Sequence, residues 1–146
     1  MNTIVPLISS GVAGPLGVLH LPRLWLKASL EATGKLASGY PGCGKGYDQM
    51  VIDGLGMKRE EVLDFIKKSK PDYPQFEAWV KKHATTLDKG SVEKLNASIR
   101  GYIHDDQTRK SILGANGLQD DASACKDAVN LNNLDDWKEF HTAVLK

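Results

Sequence analysis

Apolar positions recur with the period of an α-helix along most of the chain. Residues 21–36 are the most apolar stretch, and a helical wheel leaves one charged stripe there, formed by Arg23, Lys27 and Glu31. A helix that is apolar on nearly all sides is typical of the centre of a fold. Pro22 suits the first turn of a helix. The stretch therefore predicts a central helix with a single polar seam.

Six further stretches show helical periodicity between turn signals, and none shows the alternation of period two that indicates a strand. We expect their helices at residues 47–54 and 58–70, from Asp72 to His83, from Asp88 or Ser91 to Ile103, from Asp105 or Asp106 to Leu113, and from Asn133 onward. Residues 119–132 are polar and predict a connector, which could contain one helical turn. The pattern predicts an all-α fold of six to seven short helices.

The first 17 residues predict an extended arm rather than a helix. They carry no charged side chain, and Pro6 and Pro15 interrupt any apolar helix. A secretory signal would begin with a basic segment, and a membrane span would need a longer apolar run. We expect an arm at 1–17, packed on the protein or on a partner chain, and one compact domain at 18–146. We also expect a cytoplasmic location and no membrane partner.

The charge balance argues against a nucleic-acid partner. The chain has 19 basic and 18 acidic residues and a net charge of +1, whereas nucleic-acid binders usually gather basic residues on one face. Because residues 58–70 contain several basic side chains, nucleic-acid binding remains a hypothesis, but it is disfavoured. Cys43 and Cys125 have no CxxC spacing, so we expect two reduced thiols rather than a disulfide framework.

A glycine-dense loop at residues 39–47 follows the central helix. Its first seven residues fit G-x-x-x-x-G-K, but Gly46 replaces the Ser or Thr that holds magnesium, and a helix rather than a strand precedes the loop. Nucleotide binding is therefore disfavoured, and the glycines could simply permit a tight turn. Alternatively, backbone amides and a lysine could receive an anion. The candidate ligand-binding residues are Tyr40, Cys43, Gly44, Lys45 and Tyr47.

The charged stripe has two interpretations. It could be a solvated face with a Lys27–Glu31 pair, or it could line a pocket, since buried charges must be paired or functional. In the second case His20 is the likeliest acid or base. Asp48 would cap the second helix by default, or it would orient a loop lysine. The candidate catalytic residues are His20, Arg23, Lys27 and Asp48.

The remaining candidates favour structural roles. The four histidines lack HxxH spacing, so we expect no metal and no cofactor. His83 and His141 lie beside tryptophans on apolar faces and are expected in the core. Cys43 could be a nucleophile, although no signature surrounds it. Asp135 and Asp136 are expected in the first turn of the last helix, where carboxylates suit the helix dipole.

Several segments resemble a known family: LGVLHLPRLWLK, GYPGCGKGYD, LGMKREEVLDFIKK, FEAWVKKH and NLNNLDDWKEFH. In order, from about Ser10 to the C-terminus, they resemble a bacterial family catalogued as domain of unknown function 5069. The resemblance implies a small helical protein and no catalytic assignment. The matching positions are His20, Pro22, Arg23, Lys27, Asp48, Asp135, Asp136, Trp137 and His141.

The sequence thus predicts an anion-favouring pocket and leaves the function open between two main hypotheses. The first is a metal- and cofactor-free enzyme that uses acid–base chemistry on a small anionic or carbonyl compound. The alternative is a non-catalytic module that binds a small ligand or another protein, with a homodimer as one form.

Overall fold

The computed structural model describes residues 2–146, and that part of the chain contains seven α-helices with only isolated β-bridges. The helices are α1 (Leu21–Ala32), α2 (Tyr47–Gly54), α3 (Arg59–Ser69), α4 (Tyr73–His83), α5 (Lys89–Gly101), α6 (Asp106–Ala115) and α7 (Ala128–Phe140). A short π-helix, His141–Leu145, continues α7. The all-α prediction is confirmed.

Aspartate side chains cap the N-termini of α4, α5, α6 and α7. Asp72, Asp88, Asp105 and Asp127 each accept a hydrogen bond from the backbone N–H three residues ahead. Such caps satisfy an amide that has no partner inside the helix. They decide two starts that the sequence left open, because Asp88 rather than Ser91 caps α5, and the cap of α6 is Asp105.

The start of the last helix corrects the sequence prediction. Asn133 does not cap it, because α7 begins five residues earlier behind Asp127. Only the first part of the predicted connector is a loop, and Ala128 and Leu131 are fully buried. This first turn, AVNL, is apolar at three of its four positions, but the polar residues on both sides concealed it. Because of the earlier start, Asp135 and Asp136 do not lie in the first turn of α7, and the predicted interaction with the helix dipole there is wrong for both.

The core forms around α1, which contacts α2, α3 and α4. Leu21 and Leu24 have no exposed surface. Five other helices, α2 to α5 and α7, contribute fully or almost fully buried side chains to the same core: Val51, Ile52, Val62, Ile66, Phe76, Val80, Ile99 and Ala128. The predicted central position of the apolar helix is thus observed.

Several residues at the ends of the predicted helices lie outside the core. Tyr102 and Ile103 follow the end of α5 and are 42% and 60% exposed. His83 and His141 are exposed, so they are not core histidines. His83 instead stacks on the Trp79 ring, with the ring centroids 4.1 Å apart. Helical spacing placed these residues on the correct face, but each lies at or beyond a helix end.

The N-terminal segment runs without helix along the body of its own chain. The Ile4 N–H donates to Lys35 O at 2.7 Å, and Ile4 O accepts from the Ala37 N–H at 3.0 Å. A second bridge joins Ala13 to Leu19. These contacts hold the segment beside α1, where its backbone and Ser10 reach the polar seam.

Candidate functional site

The polar seam of α1 is buried over most of its length. Arg23 and Lys27 are only 5% and 6% exposed. Glu31, one turn further on, is exposed, and Lys27 pairs with a different carboxylate. The solvated interpretation is therefore wrong for Arg23 and Lys27, and it holds for Glu31 alone.

Asp48 accepts hydrogen bonds from three directions. Its Oδ1 lies 2.6 Å from His20 Nε2, and its Oδ2 lies 2.6 Å from Lys27 Nζ and 2.7 Å from the Gly44 N–H. The side chain does not cap α2, although it lies in the first turn. It binds the lysine of α1 rather than a lysine of the loop. One carboxylate thus joins α1, α2 and the glycine loop.

The cluster holds an ionised Asp48 beside a neutral His20. Burial alone would raise the pKa of Asp48, but the hydrogen bonds from His20 and Lys27, the charge of Lys27 and the charge that His20 gains in acid outweigh it and bring the pKa to about 2. For His20 burial dominates and lowers the pKa of the imidazole, although Asp48 opposes the shift. We therefore assign the tautomer in which Nε2–H donates to Asp48.

The other ring nitrogen of His20 is also occupied. Nδ1 lies 2.9 Å from Ser10 Oγ, and in this tautomer the serine hydroxyl donates to it. The order Ser10–His20–Asp48 is that of a nucleophile, a base and an orienting acid. However, Ser10 is 1% exposed and does not line a described cavity. Its hydroxyl therefore positions the ring rather than attacking a ligand.

The backbone of His20 has an unusual conformation. It is the residue before α1 and has φ 70°, in the left-handed region that non-glycine residues rarely adopt. Such backbone costs about 1–3 kcal/mol and persists only where neighbours over-determine it. Here the two ring hydrogen bonds hold the residue in place.

Arg23 is held by a second carboxylate, Asp136. Its guanidinium donates to both carboxylate oxygens, with Nη1–Oδ2 at 2.6 Å and Nη2–Oδ1 at 3.1 Å. It also donates to the carbonyls of Pro6 and Ile8 at 2.8 and 2.9 Å. The Tyr40 hydroxyl donates to Asp136 Oδ1 at 3.0 Å. The helix-dipole explanation of Asp136 was therefore wrong, since this carboxylate is 3% exposed and is the partner of Arg23.

A cleft of about 300 Å³ opens beside these clusters. It brings together every predicted site residue except Cys43: His20, Arg23, Lys27, Tyr40, Gly44, Lys45, Tyr47 and Asp48. Sequence reasoning missed Tyr102, His104, Asn132 and Asp135, which form the opposite wall. Aromatic, cationic and carboxylate groups therefore meet in one concave site of ligand size.

The charges of the cleft differ in how they are compensated. Arg23 and Lys27 each have a carboxylate partner, whereas Lys45 is exposed and forms no ion pair with the described residues. Lys45 directly precedes Gly46, the uncapped start of α2. Helix N-termini carry partial positive charge. Among the lysines and arginines that line the cleft, Lys45 is thus the one without a carboxylate partner in the described part of the chain.

Asp135 and His104 supply titratable groups on the opposite wall. Burial, reinforced by the charge of Asp136, raises the pKa of the half-buried Asp135 carboxyl. His104 Nε2 bonds the side-chain oxygen of Asn132 at 2.8 Å. For Asp135, the only signal in the sequence was the NLDDW segment. The misplaced start of the last helix put this residue in the first turn, where the helix dipole offered an explanation for it.

Cys43 lies on the other side of the loop, in a separate cavity of about 540 Å³. Burial raises the pKa of its thiol to about 11, and the nearby Asp48 carboxylate adds to the shift. The thiolate is the nucleophilic form of cysteine. The structure therefore removes Cys43 from the predicted cleft, and a nucleophilic role has no support in its surroundings.

Residues 2–146 contain no group of three or more His, Cys, Asp or Glu side chains placed to share a metal ion. Asp48 and Asp136 already accept bonds from cations of the protein. In the same range, no helix has the length and the apolar character needed to cross a membrane.

The comparison with known proteins identifies the family but no function. The family model described as Domain of unknown function (DUF5069) matches residues 10–137. The expected start near Ser10 is confirmed, whereas the match ends at Trp137 and excludes His141. No curated protein matches the chain. The matched range contains both the Asp48 and the Asp136 clusters. The chain belongs to the DUF5069 family, whose description assigns no activity.

Proposed function

We propose that this protein binds a small anionic molecule in the cleft beside α1 and α2. The observation that supports the proposal best is Lys45, a cation without an ion-pair partner among the described residues, at the uncapped start of α2. A helix N-terminus offers amide donors and positive potential to an anion. The lysine adds a full charge beside them.

Lys27 gives the ligand a second anchor at the base of the cleft. An ammonium group has three N–H donors, and Lys27 uses one of them for Asp48. The two others are available to a bound oxygen. Because Asp48 fixes the lysine, binding would cost little side-chain entropy. A cleft of about 300 Å³ suits a small metabolite rather than a nucleotide or a peptide.

Calorimetric titration tests this proposal with inorganic phosphate and with small mono- and dicarboxylates. We expect saturable binding of at least one of these anions and a loss of about tenfold or more in Lys45→Ala, as for a lost charge-assisted contact. Lys94→Ala is the matched control, because Lys94 is equally exposed but lies on α5. Equal affinities in both variants, or no binding of any anion, would contradict the proposal.

Acid–base catalysis on the bound molecule is the second candidate function. It is supported by His20, a neutral imidazole in left-handed backbone that shares a carboxylate with Lys27 at the cleft wall. Lys27 would polarise a carbonyl or hold a carboxylate of the ligand. His20 would accept or donate a proton at Nδ1 only after the hydrogen bond between Nδ1 and Ser10 Oγ is replaced by one to the ligand. The enzyme would need neither a metal nor a cofactor.

Proton exchange in D₂O separates the enzyme from a non-catalytic module. Small anionic carbonyl compounds that bind are incubated with the protein, and NMR follows the loss of protons next to the carbonyl. An enzyme would catalyse exchange that Lys27→Met abolishes, with circular dichroism showing that the variant is folded. Binding without exchange for any compound would favour the non-catalytic alternative.

Three further proposals concern assembly, location and nucleic acid. A homodimer would use exposed apolar side chains such as Trp137, which is 59% exposed. Sedimentation of the wild type and Trp137→Ser at several concentrations tests this assembly. We retain a cytoplasmic location and the absence of a nucleic-acid partner as proposals, and a salt-independent lack of binding to DNA and RNA would support the latter.

A further inference from the structure

The cavity on the other side of the glycine loop has features of a separate binding site. It encloses about 540 Å³ between the C-terminal half of α1, residues 34–43 and the start of α3. Small and apolar side chains form much of its lining, among them Ala28, Ala32 and Leu63. Cavities of this size, apolar with a few polar groups, are the usual form of small-ligand sites.

Two opposite charges line this cavity without pairing. Glu31 and Arg59 both belong to the lining, yet neither forms an ion pair within the described part of the chain. Opposite charges that share a cavity and remain apart can each take a complementary group of one ligand. The apolar lining would receive the rest of that ligand.

The glycine loop orients Arg59 through hydrogen bonds and lies against Glu31. The Arg59 guanidinium donates to the carbonyls of Cys43 and Gly44 and to Gln49 Oε1. None of these acceptors carries a charge, so the positive charge of Arg59 is oriented but not neutralised. A Cβ atom on Gly42 would lie 2.7 Å from Glu31 Cβ and closer still to the carboxyl group. Glycine at this position lets the glutamate side chain lie against the loop.

We propose that this cavity binds a zwitterion with an apolar body. Its carboxylate would bind Arg59, its ammonium group would bind Glu31, and its side chain would contact Ala32 and Leu63. A free apolar amino acid and a short apolar peptide share this chemistry. The site adjoins the anion cleft, since Tyr40 and Pro41 line both, but neither Lys45 nor Lys27 lines it.

Calorimetry and chemical-shift mapping test the site with leucine and leucyl-leucine as the two zwitterions. Leucinamide lacks the carboxylate, and N-acetyl-leucine lacks the ammonium group. We expect saturable binding of at least one zwitterion and binding at least tenfold weaker for both single-charge analogues. Preference between leucine and the dipeptide identifies the source of the zwitterion. The absence of saturable binding for all four compounds would overturn the proposal.

Variants locate the binding in this cavity. Glu31→Gln should weaken zwitterion binding about tenfold or more, and Leu63→Phe should abolish it by filling the space. Glu60→Gln is the matched control, since Glu60 is exposed on α3 and does not line the cavity. Lys45→Ala should leave zwitterion binding unchanged, so that failure of the anion site and failure of this site are distinguishable. Unchanged affinity in both Glu31→Gln and Leu63→Phe would overturn the assignment.

Discussion

Arg23 and Asp136 form a two-point ion pair across 113 positions of sequence, with both carboxylate oxygens accepting from the guanidinium. The pair is nearly inaccessible to water, at 5% and 3% exposure. It joins the central helix to the last one, and Tyr40 donates a third hydrogen bond to the carboxylate. The last helix is therefore fixed to the core by a charged contact as well as by the buried Ala128.

Asp136→Ala should be strongly destabilising, because it leaves a buried guanidinium without its carboxylate. Breaking one side of a buried ion pair typically costs about 3–5 kcal/mol. Urea denaturation followed by circular dichroism measures the loss. Asp135→Ala is the control, since this neighbouring residue forms no ion pair with the described residues. Equal losses in the two variants would show that the Arg23 pair is not the cause.

The low pKa of Asp48 predicts a loss of stability in strong acid. The folded pKa of about 2 lies below the value of 3.8 for a free carboxyl. The contribution is fully present above pH 3.8 and is lost as the pH falls towards 2. A shift of this size corresponds to about 2 kcal/mol.

Urea unfolding at closely spaced pH values from 5 to 2 measures this dependence. Asp48→Asn should remove it along with stability at neutral pH, whereas Asp64→Asn, at an exposed residue of α3, should leave the curve unchanged. A wild-type slope that persists in Asp48→Asn would contradict the assignment to Asp48.

The lowered pKa of His20 predicts a loss of stability that begins at a higher pH than the loss due to Asp48. Its folded pKa lies below 6.5, so the unfolded chain binds the proton more readily. Stability is therefore constant above pH 6.5 and falls as the pH decreases through the range below it. His20→Gln should flatten this part of the curve. NMR gives a second measurement: the His20 ring signals should not titrate between pH 8 and 6.5, and a midpoint at or above 6.5 would refute the lowered pKa.

Cys43 should react slowly with alkylating reagents. Its thiol has a pKa of about 11 and is half-buried, so little thiolate is present at pH 7.5. Mass spectrometry after timed exposure to iodoacetamide gives the rate. We expect the rate to increase about tenfold for each pH unit between 7.5 and 9.5, since thiolate is the reacting form. A rate that levels off near pH 8 would contradict the raised pKa.

Two glycines in helices should respond oppositely to alanine. A Cβ atom on Gly54 would lie 2.7 Å from Leu95 Cδ1, at the contact of α2 with α5, whereas one on Gly101 would meet no atom within 4 Å. Gly54→Ala should therefore destabilise the protein by about 1–3 kcal/mol through overpacking. Gly101→Ala should be neutral or stabilising by up to about 1 kcal/mol. Thermal unfolding of both variants tests the contrast.

The helices were largely predictable because their signals are local. Each of Asp72, Asp88 and Asp105 caps the first turn that follows it, within four residues of sequence. The sequence predicted the burial of Arg23 and Lys27 as one of two alternatives, because a helix that is otherwise apolar is expected to have little surface in contact with solvent. The local hydrophobic pattern and the requirement to bury apolar surface are therefore sufficient to predict the helices and the central position of α1.

The partners of these charges could not be predicted. Arg23 could have paired with any of several carboxylates, and the packing of α7 places Asp136 beside it. Likewise Ser10 contacts His20 through a loop that has no periodic pattern. The opposite wall of the cleft, with His104 and Asp135, depends on how α7 packs beside the segment after α5. Such choices follow from tertiary packing and leave no mark on local sequence.

The environment of Arg23 also depends on the order in which its partners are synthesised. The guanidinium takes carbonyls from Pro6 and Ile8, which precede α1, and a carboxylate from Asp136, which follows Arg23 by 113 residues. A nascent chain on the ribosome therefore carries an arginine without its carboxylate until α7 has been synthesised. Any truncation that removes α7 leaves the charge in the same incompletely paired state.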